Sequence, residues 1–143
     1  MFTTTVTPRF GDVDGLGHIN NAVMSDWFEL ARNPVFRIFD PLMRIEHEYW
    51  SLIMAHTDYD FVDQIYFQHE VEIRTYVDHI GNKSFSVYHE AWQQGRLCAK
   101  GHAVMVHFDF TANRSTPLPE DKKKLLAEHL FNAEKKDPQV PAS

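Results

Sequence analysis

The rhythm of apolar positions changes along this 143-residue chain. Residues 2–9 are rich in Thr and Val and end near Pro8, which predicts a first strand. A glycine-rich loop follows at 11–17, and then apolar residues recur at three- and four-residue spacing. Val23, Trp27, Leu30 and Ala31 share one face with Met24 and Phe28 beside them, and this spacing predicts a helix. Ser25, Asp26, Glu29 and Arg32 take the other side, where Glu29 and Arg32 pair at i, i+3. The apolar sector is wide, so the helix is expected to be embedded rather than laid on a surface. Asn20 or Asn21 is the natural N-cap. Asn33-Pro34 predicts a stop and restart, with Pro at the first position of a short second helical piece.

From Tyr49 onward the period becomes two. "WSLIMAH", "IYFQHEVEIRTYV", "SFSVYHEAW" and "LCAKGHAVMVHFDF" alternate and are rich in β-formers. "HIGNKS" and "QQGR" join the last three of these runs as tight hairpins, giving an antiparallel meander. "PEDKKKLLAEHLF" predicts a terminal helix with Pro119 at its start and acidic residues in its first turn. One long antiparallel sheet curling round one central apolar helix is an α+β arrangement. The length suits a single domain, taken as 1–135, with the polar, proline-bearing 136–143 as a frayed tail.

Composition adds bounds to this picture. Hydrophobic residues make up 43% and charged residues 24%, as in ordinary globular chains. Eleven Phe imply a thick apolar interior or an apolar ligand cavity. A net charge of −6, with no basic run before 122–124, excludes a nucleic-acid footprint. The lone Cys98 forms no internal disulfide and reads as a small buried hydrophobe. The N-terminus lacks the regions of a signal peptide, and no apolar run is long enough to span a membrane. A cytoplasmic location without membrane attachment is therefore expected.

Candidate chemistry gathers in "GDVDGLGHINN". Asp14 lies just before a helix whose first N–H groups lack intrahelical partners and favour developing negative charge. It reads either as an Asx-turn residue or as a general base or nucleophile beside an oxyanion site. His18 reads either as a polar residue bonded to backbone, or as a group that orients the base, donates to a carbonyl or positions water. Asn20 and Asn21 are caps first, with one of them also able to face a pocket. Asp12 reads as a turn or surface residue, and Glu29 as the partner of Arg32. Asp12-Val-Asp14-Gly15 lacks the glycine spacing and closing glutamate of a calcium loop. His102 and His107 fall on opposite faces of a strand. No helical His pair, C-x-x-C, serine elbow or nucleotide-phosphate motif occurs, so neither metal nor cofactor is expected.

"RFGDVDGLGHINNAVMSDWFELAR" resembles the N-terminal signature of hotdog-fold acyl-CoA thioesterases of the 4-hydroxybenzoyl-CoA thioesterase type. "DYDFVDQIYFQHEVEIRTYVDHIGNKSFSVYHE" and "GHAVMVHFDFTANRSTPLP" resemble the family's later strands, so the likeness runs over roughly residues 4–128. It implies a hotdog fold, and dimers or tetramers with active sites between subunits. Asp14 matches the catalytic aspartate, a nucleophile or general base in different members. His18 matches the histidine of a D-x-x-x-H-x-N-N variant. The resemblance implies that amides from Asn20 and Asn21 to Ala22 polarise the thioester carbonyl. Leu16 departs from the Asn of plant acyl-carrier-protein thioesterases, and Met24 from a Tyr common in the first helix turn. The expected substrate is an acyl-CoA, or the same thioester on acyl carrier protein. Met24, Trp27 and Phe28 would contact the acyl group, and Lys83, Arg96, Lys100 and Arg114 are candidates for the phosphate end. A non-catalytic acyl-CoA-binding hotdog module is the alternative, followed by an enoyl-thioester hydratase, which the missing Pro and the Asp–His spacing disfavour.

Overall fold

The computed structural model describes residues 1–132, so the expected tail at 136–143 lies outside the described residues. Six strands form one sheet: β1 (Phe2–Val6), β2 (Leu52–Phe61), β3 (Val71–Ile80), β4 (Ser84–Gln93), β5 (Arg96–Asp109) and β6 (Arg114–Ser115). Their order is β1-β3-β4-β5-β2, with β6 beside the end of β5 and every pairing antiparallel. The predicted meander is β3-β4-β5. Its second turn is a two-residue loop, Gln94–Gly95, with φ of 50° and 74°. Positive φ at both positions matches the right-handed twist of the flanking strands.

Helices α1 (Met24–Ala31) and α2 (Asn33–Phe39) lie against one face of the sheet, and α3 (Glu120–Ala127) closes one end. The first helical stretch is shorter than its apolar pattern suggests. It opens with a 3-10 turn (Asn21–Val23), runs for eight α-helical residues and restarts at Pro34 as expected. Met24, Trp27, Phe28 and Ala31 are its buried residues, at helical spacing. They pack on alternate strand positions such as Ile73, Ala91 and Ala99. At Gly101 the helix meets the sheet: an added Cβ would lie 2.4 Å from Asp58 O and 3.1 Å from Phe28 Cε2. Only glycine lets the Phe28 ring seat there. This helix-in-sheet architecture is the one the resemblance implies.

Two positions at the C-terminal end of α1 differ from the sequence reading. Leu30, expected in the apolar face, is 51% exposed, while Arg32, expected outside with Glu29, is 2% exposed. Arg32 Nη1 lies 3.4 Å from His89 Nε2, and His89 Nδ1 lies 2.9 Å from Thr75 Oγ1. The network assigns the proton to Nδ1, because an arginine offers only donors. Burial, and then the Arg32 charge, push the His89 pKa down to about 3. The face shifted because the sheet, not the helix alone, decides which residues are covered. Arg32 reaches the core by its apolar stem.

The run 65–70, expected to begin β3, is instead irregular, and β3 starts at Val71. Beyond α3 the chain returns to the sheet edge. Val77 donates to His129 O at 2.9 Å and Phe131 donates to Val77 O at 2.7 Å, a parallel bridge. The flank of β3 is therefore shared: β1 covers Val71–Thr75 and residues 129–131 cover Val77. The Met1 amine lies 3.0 Å from His129 Nδ1, and Phe2 stacks on the His129 ring.

Candidate active site

The polar loop between β1 and α1 is built by local hydrogen bonds. It begins with a 3-10 turn (Phe10–Asp12) closed by a reciprocal cap. Asp12 carboxylate oxygens accept from the Arg9 N–H at 2.8 Å and from Arg9 Nη2 at 3.1 Å. Asp12 is only 2% exposed, which corrects its reading as a surface residue. It anchors the loop by its main chain as well, since its carbonyl accepts from Asn20 N at 2.8 Å.

Val13 and Ile19 then pair antiparallel and pinch off residues 14–18. Asp14 N donates to His18 O at 2.8 Å, and Asp14 O accepts from Gly17 N at 3.2 Å. The Asp14 carboxylate joins in: Oδ1 accepts from Leu16 N at 2.9 Å and from His18 N at 3.2 Å. Oδ2 has no hydrogen-bond partner among the described residues. Asp14 is thus a turn residue and at the same time a fixed, half-buried carboxylate with one open oxygen. The Asx-turn reading of Asp14 is met by these hydrogen bonds.

Asn20 caps the helical turn, its Oδ1 accepting from Ala22 N at 3.0 Å. With Asn20 N bound to Asp12 O and Ala22 N to the cap, Asn21 N–H is left without a hydrogen-bond partner among the described residues. The half-buried His18 meets the Tyr66 ring edge-on, with centroids 5.5 Å apart. Tyr66 belongs to the irregular segment 62–70. Arg96 lies over the same ring at 5.7 Å and pairs with Asp63. The Gln64 amide, and then Arg96, hold the Asp63 carboxyl below the usual carboxylate range. Exposed apolar groups rim the loop: Phe10 is 84% and Leu16 81% exposed.

The remaining candidates divide by position. Met24, Trp27 and Phe28 are buried in the helix–sheet core. Lys83 sits in the β3–β4 turn, where its carbonyl accepts from His107 N at 2.8 Å, and Arg114 sits opposite Asp109 in β6. Both are exposed, at the opposite end of the sheet from the Asp14 loop. The ten residues of β3 span about 30 Å between those ends. Of the basic candidates, only Arg96 is shown beside the loop. Tyr66, Ile65 and Gln93 enter the site's surroundings with no signal in the sequence, because packing brings them there. Among the described residues, no group of three or more His, Cys, Asp or Glu is arranged to hold a metal ion. No described helix is long and apolar enough to cross a membrane.

Comparison with known proteins shows the breadth of the likeness. Residues 8–128 match the family model of the thioesterase-like superfamily. The structure of a predicted thioesterase from Bacillus stearothermophilus is 36% identical, with 99% of this chain and 98% of that one covered, at a TM-score of 0.86. A thioesterase from Thermus thermophilus, crystallised with coenzyme A and Zn, is 30% identical over 89% of this chain and 92% of its own, at 0.77. The uncharacterised protein YsmA of Bacillus subtilis is 24% identical, over 87% of this chain and 84% of its own.

Proposed function

This chain belongs to the thioesterase-like superfamily, and on that premise we propose that it hydrolyses acyl-CoA thioesters with Asp14 as the catalytic carboxylate. The observation that carries the reading is the pairing of a fixed carboxylate bearing one open oxygen with an open helix-start amide. A thioester is an activated acyl donor whose thiolate leaves readily, so a carboxylate, a water and an oxyanion donor form a sufficient set. In the general-base route Asp14 Oδ2 takes a proton from water. The water oxygen bonds to the thioester carbon, negative charge builds on the carbonyl oxygen facing Asn21 N–H, and the C–S bond breaks to release CoA thiolate. In the nucleophilic route Oδ2 itself bonds to that carbon as the C–S bond breaks to release CoA thiolate, and water then hydrolyses the acyl–Asp14 anhydride to free acid and carboxylate. Oxygen-18 from water entering the Asp14 carboxylate in a single turnover marks the second route. His18 lies on the same loop, its ring against Tyr66, and its role in this reading is to position the water or donate to the carbonyl. Asn20 supports the site by capping, and Ala22 holds the turn through that cap.

Coenzyme A bound to the Thermus relative supports CoA as the carrier, and acyl carrier protein presents the same thioester. The functional unit is a homodimer or homotetramer with the site between subunits. β2 supports this: it is an edge strand of ten residues exposing Met54 (47%) and Phe61 (48%). Long exposed apolar edges invite pairing with another chain. Two-fold antiparallel pairing of β2 sets Leu52 of one protomer toward the partner's Phe61. That swaps the ends of the two sheets, so that Lys83 and Arg114 approach the partner's Asp14 loop and its CoA phosphates.

The test is thiol release from short, long and aromatic acyl-CoAs by wild type and Asp14→Asn. Turnover lost in the variant, with folding and acyl-CoA binding intact, supports the reading. No turnover on any thioester, with saturable binding in both proteins, replaces it by the non-catalytic binding module.

A further inference from the structure

Segment 62–70 has no helix or strand of its own, yet the Asp14 loop leans on it at three points. Ile19 N donates to Ile65 O at 2.9 Å, the His18 ring meets Tyr66, and Phe10 meets Phe67 edge-on at 6.4 Å. An irregular segment can act as a wall only if something fixes it. That fixture is a side chain from the end of β4. Gln93 is 1% exposed. Its Oε1 accepts from Tyr66 N at 2.9 Å, and its Nε2 donates to Tyr66 O at 2.7 Å and to His69 O at 2.9 Å. Both N–H groups and the oxygen of the amide are engaged, which satisfies a buried polar group that would otherwise destabilise the core. By holding both the N–H and the C=O of Tyr66, the side chain substitutes for a rung of β-ladder where no strand is available.

We propose that Gln93 is a positioning residue for thioester hydrolysis, an inference that rests on the function proposed above. It touches no reacting atom. It fixes the Tyr66 backbone, Tyr66 fixes the His18 ring, and the adjoining Ile65 carbonyl fixes Ile19 at the exit of the Asp14 loop. Glutamate at this position would face two carbonyl oxygens with an acceptor, and an apolar residue would leave three main-chain groups unpaired.

Gln93→Met keeps the length of the side chain and removes its hydrogen bonds. Amide hydrogen exchange is followed at Ile19 and at Val87 in the middle of β4, with kcat and KM on the best acyl-CoA. The expected result is exchange at Ile19 faster by about tenfold with Val87 unchanged, and kcat lower by about tenfold with KM within about threefold. Uniform acceleration of both amides, or an unchanged kcat, overturns the proposal, since a residue that only fills the hairpin end would act on global stability alone. If Gln93→Met does not fold, Tyr66→Ala decides, at a position 39% exposed: a wild-type kcat there overturns the proposal and a fall of about tenfold supports it. If the wild type hydrolyses no thioester, the functional reading fails separately, and exchange alone decides the clamp: selective acceleration at Ile19 supports it and uniform acceleration overturns it.

Discussion

At the N-terminal end of α1 the polar groups lie near the surface with several hydrogen-bonding sites open, whereas at its C-terminal end they are buried and paired. Asp14 Oδ2, Asn21 N–H and the His18 ring have no hydrogen-bond partner among the described residues. Arg32, His89 and Thr75 are buried around one imidazole, with Phe28 stacked on it at 4.8 Å. The exception there is Arg32 Nε, which is buried without a hydrogen-bond partner among the described residues. Polar groups that hold a fold must be satisfied, while groups that do chemistry must keep something to offer a substrate. The difference separates the two ends more sharply than residue type does, since each has a histidine beside a charged residue.

That comparison breaks most decisively at Asp14. Asp14→Asn keeps an oxygen for the Leu16 and His18 amides while removing the proposed base or nucleophile. The expected loss in kcat is about 10²–10⁴, with the urea midpoint little changed. A midpoint that falls while kcat holds would make this end structural too.

The next effect is read in acid. His89 takes a proton only near pH 3 in the folded protein, against 6.5 as its ordinary value. The unfolded chain therefore binds more protons between those values. Stability is complete above about pH 6.5 and falls as pH drops, by at most about 1.4 kcal/mol per pH unit from this group. Urea unfolding of wild type and His89→Gln at pH 7, 6 and 5 checks the sign: the wild type should lose stability faster. Equal slopes would mean that His89 takes up protons equally in the folded and unfolded chain.

Asn20→Ala should cost about 1 kcal/mol of stability through the lost cap, visible in urea melts, with a smaller fall in kcat. Lys83→Ala and Arg114→Ala should each raise KM for acyl-CoA by about two- to fivefold at low salt and less at high salt. An effect that persists in a monomeric variant would rule out their action across β2.

Much of this arrangement is legible in short windows of sequence. The Asn20 cap, the restart at Pro34, the Gln94–Gly95 turn and the acidic start of α3 are fixed by residues within one turn of each other. The exchange of Leu30 for Arg32 in the core is not, because the residue that receives Arg32 lies 57 positions away. Asp12 looks like any turn aspartate until Asn20 and Arg9 close around it. Asp14 and His18 are readable as candidates, but the wall behind them is not: Tyr66 and Gln93 have ordinary strand-like neighbours and are joined to the loop only by the finished sheet.

The shared flank of β3 also bears on how the protein is made. β1 can dock as soon as β3 has left the ribosome, but Val77 waits for residues 129–131, which are synthesised after the rest of the sheet. Because synthesis is slow compared with the closing of a hairpin, the nascent chain holds a half-zipped margin beside β3 for much of its production. Sealing it is the final stitch, so a stalled or truncated translation product lacking residue 131 would present that open seam to other chains.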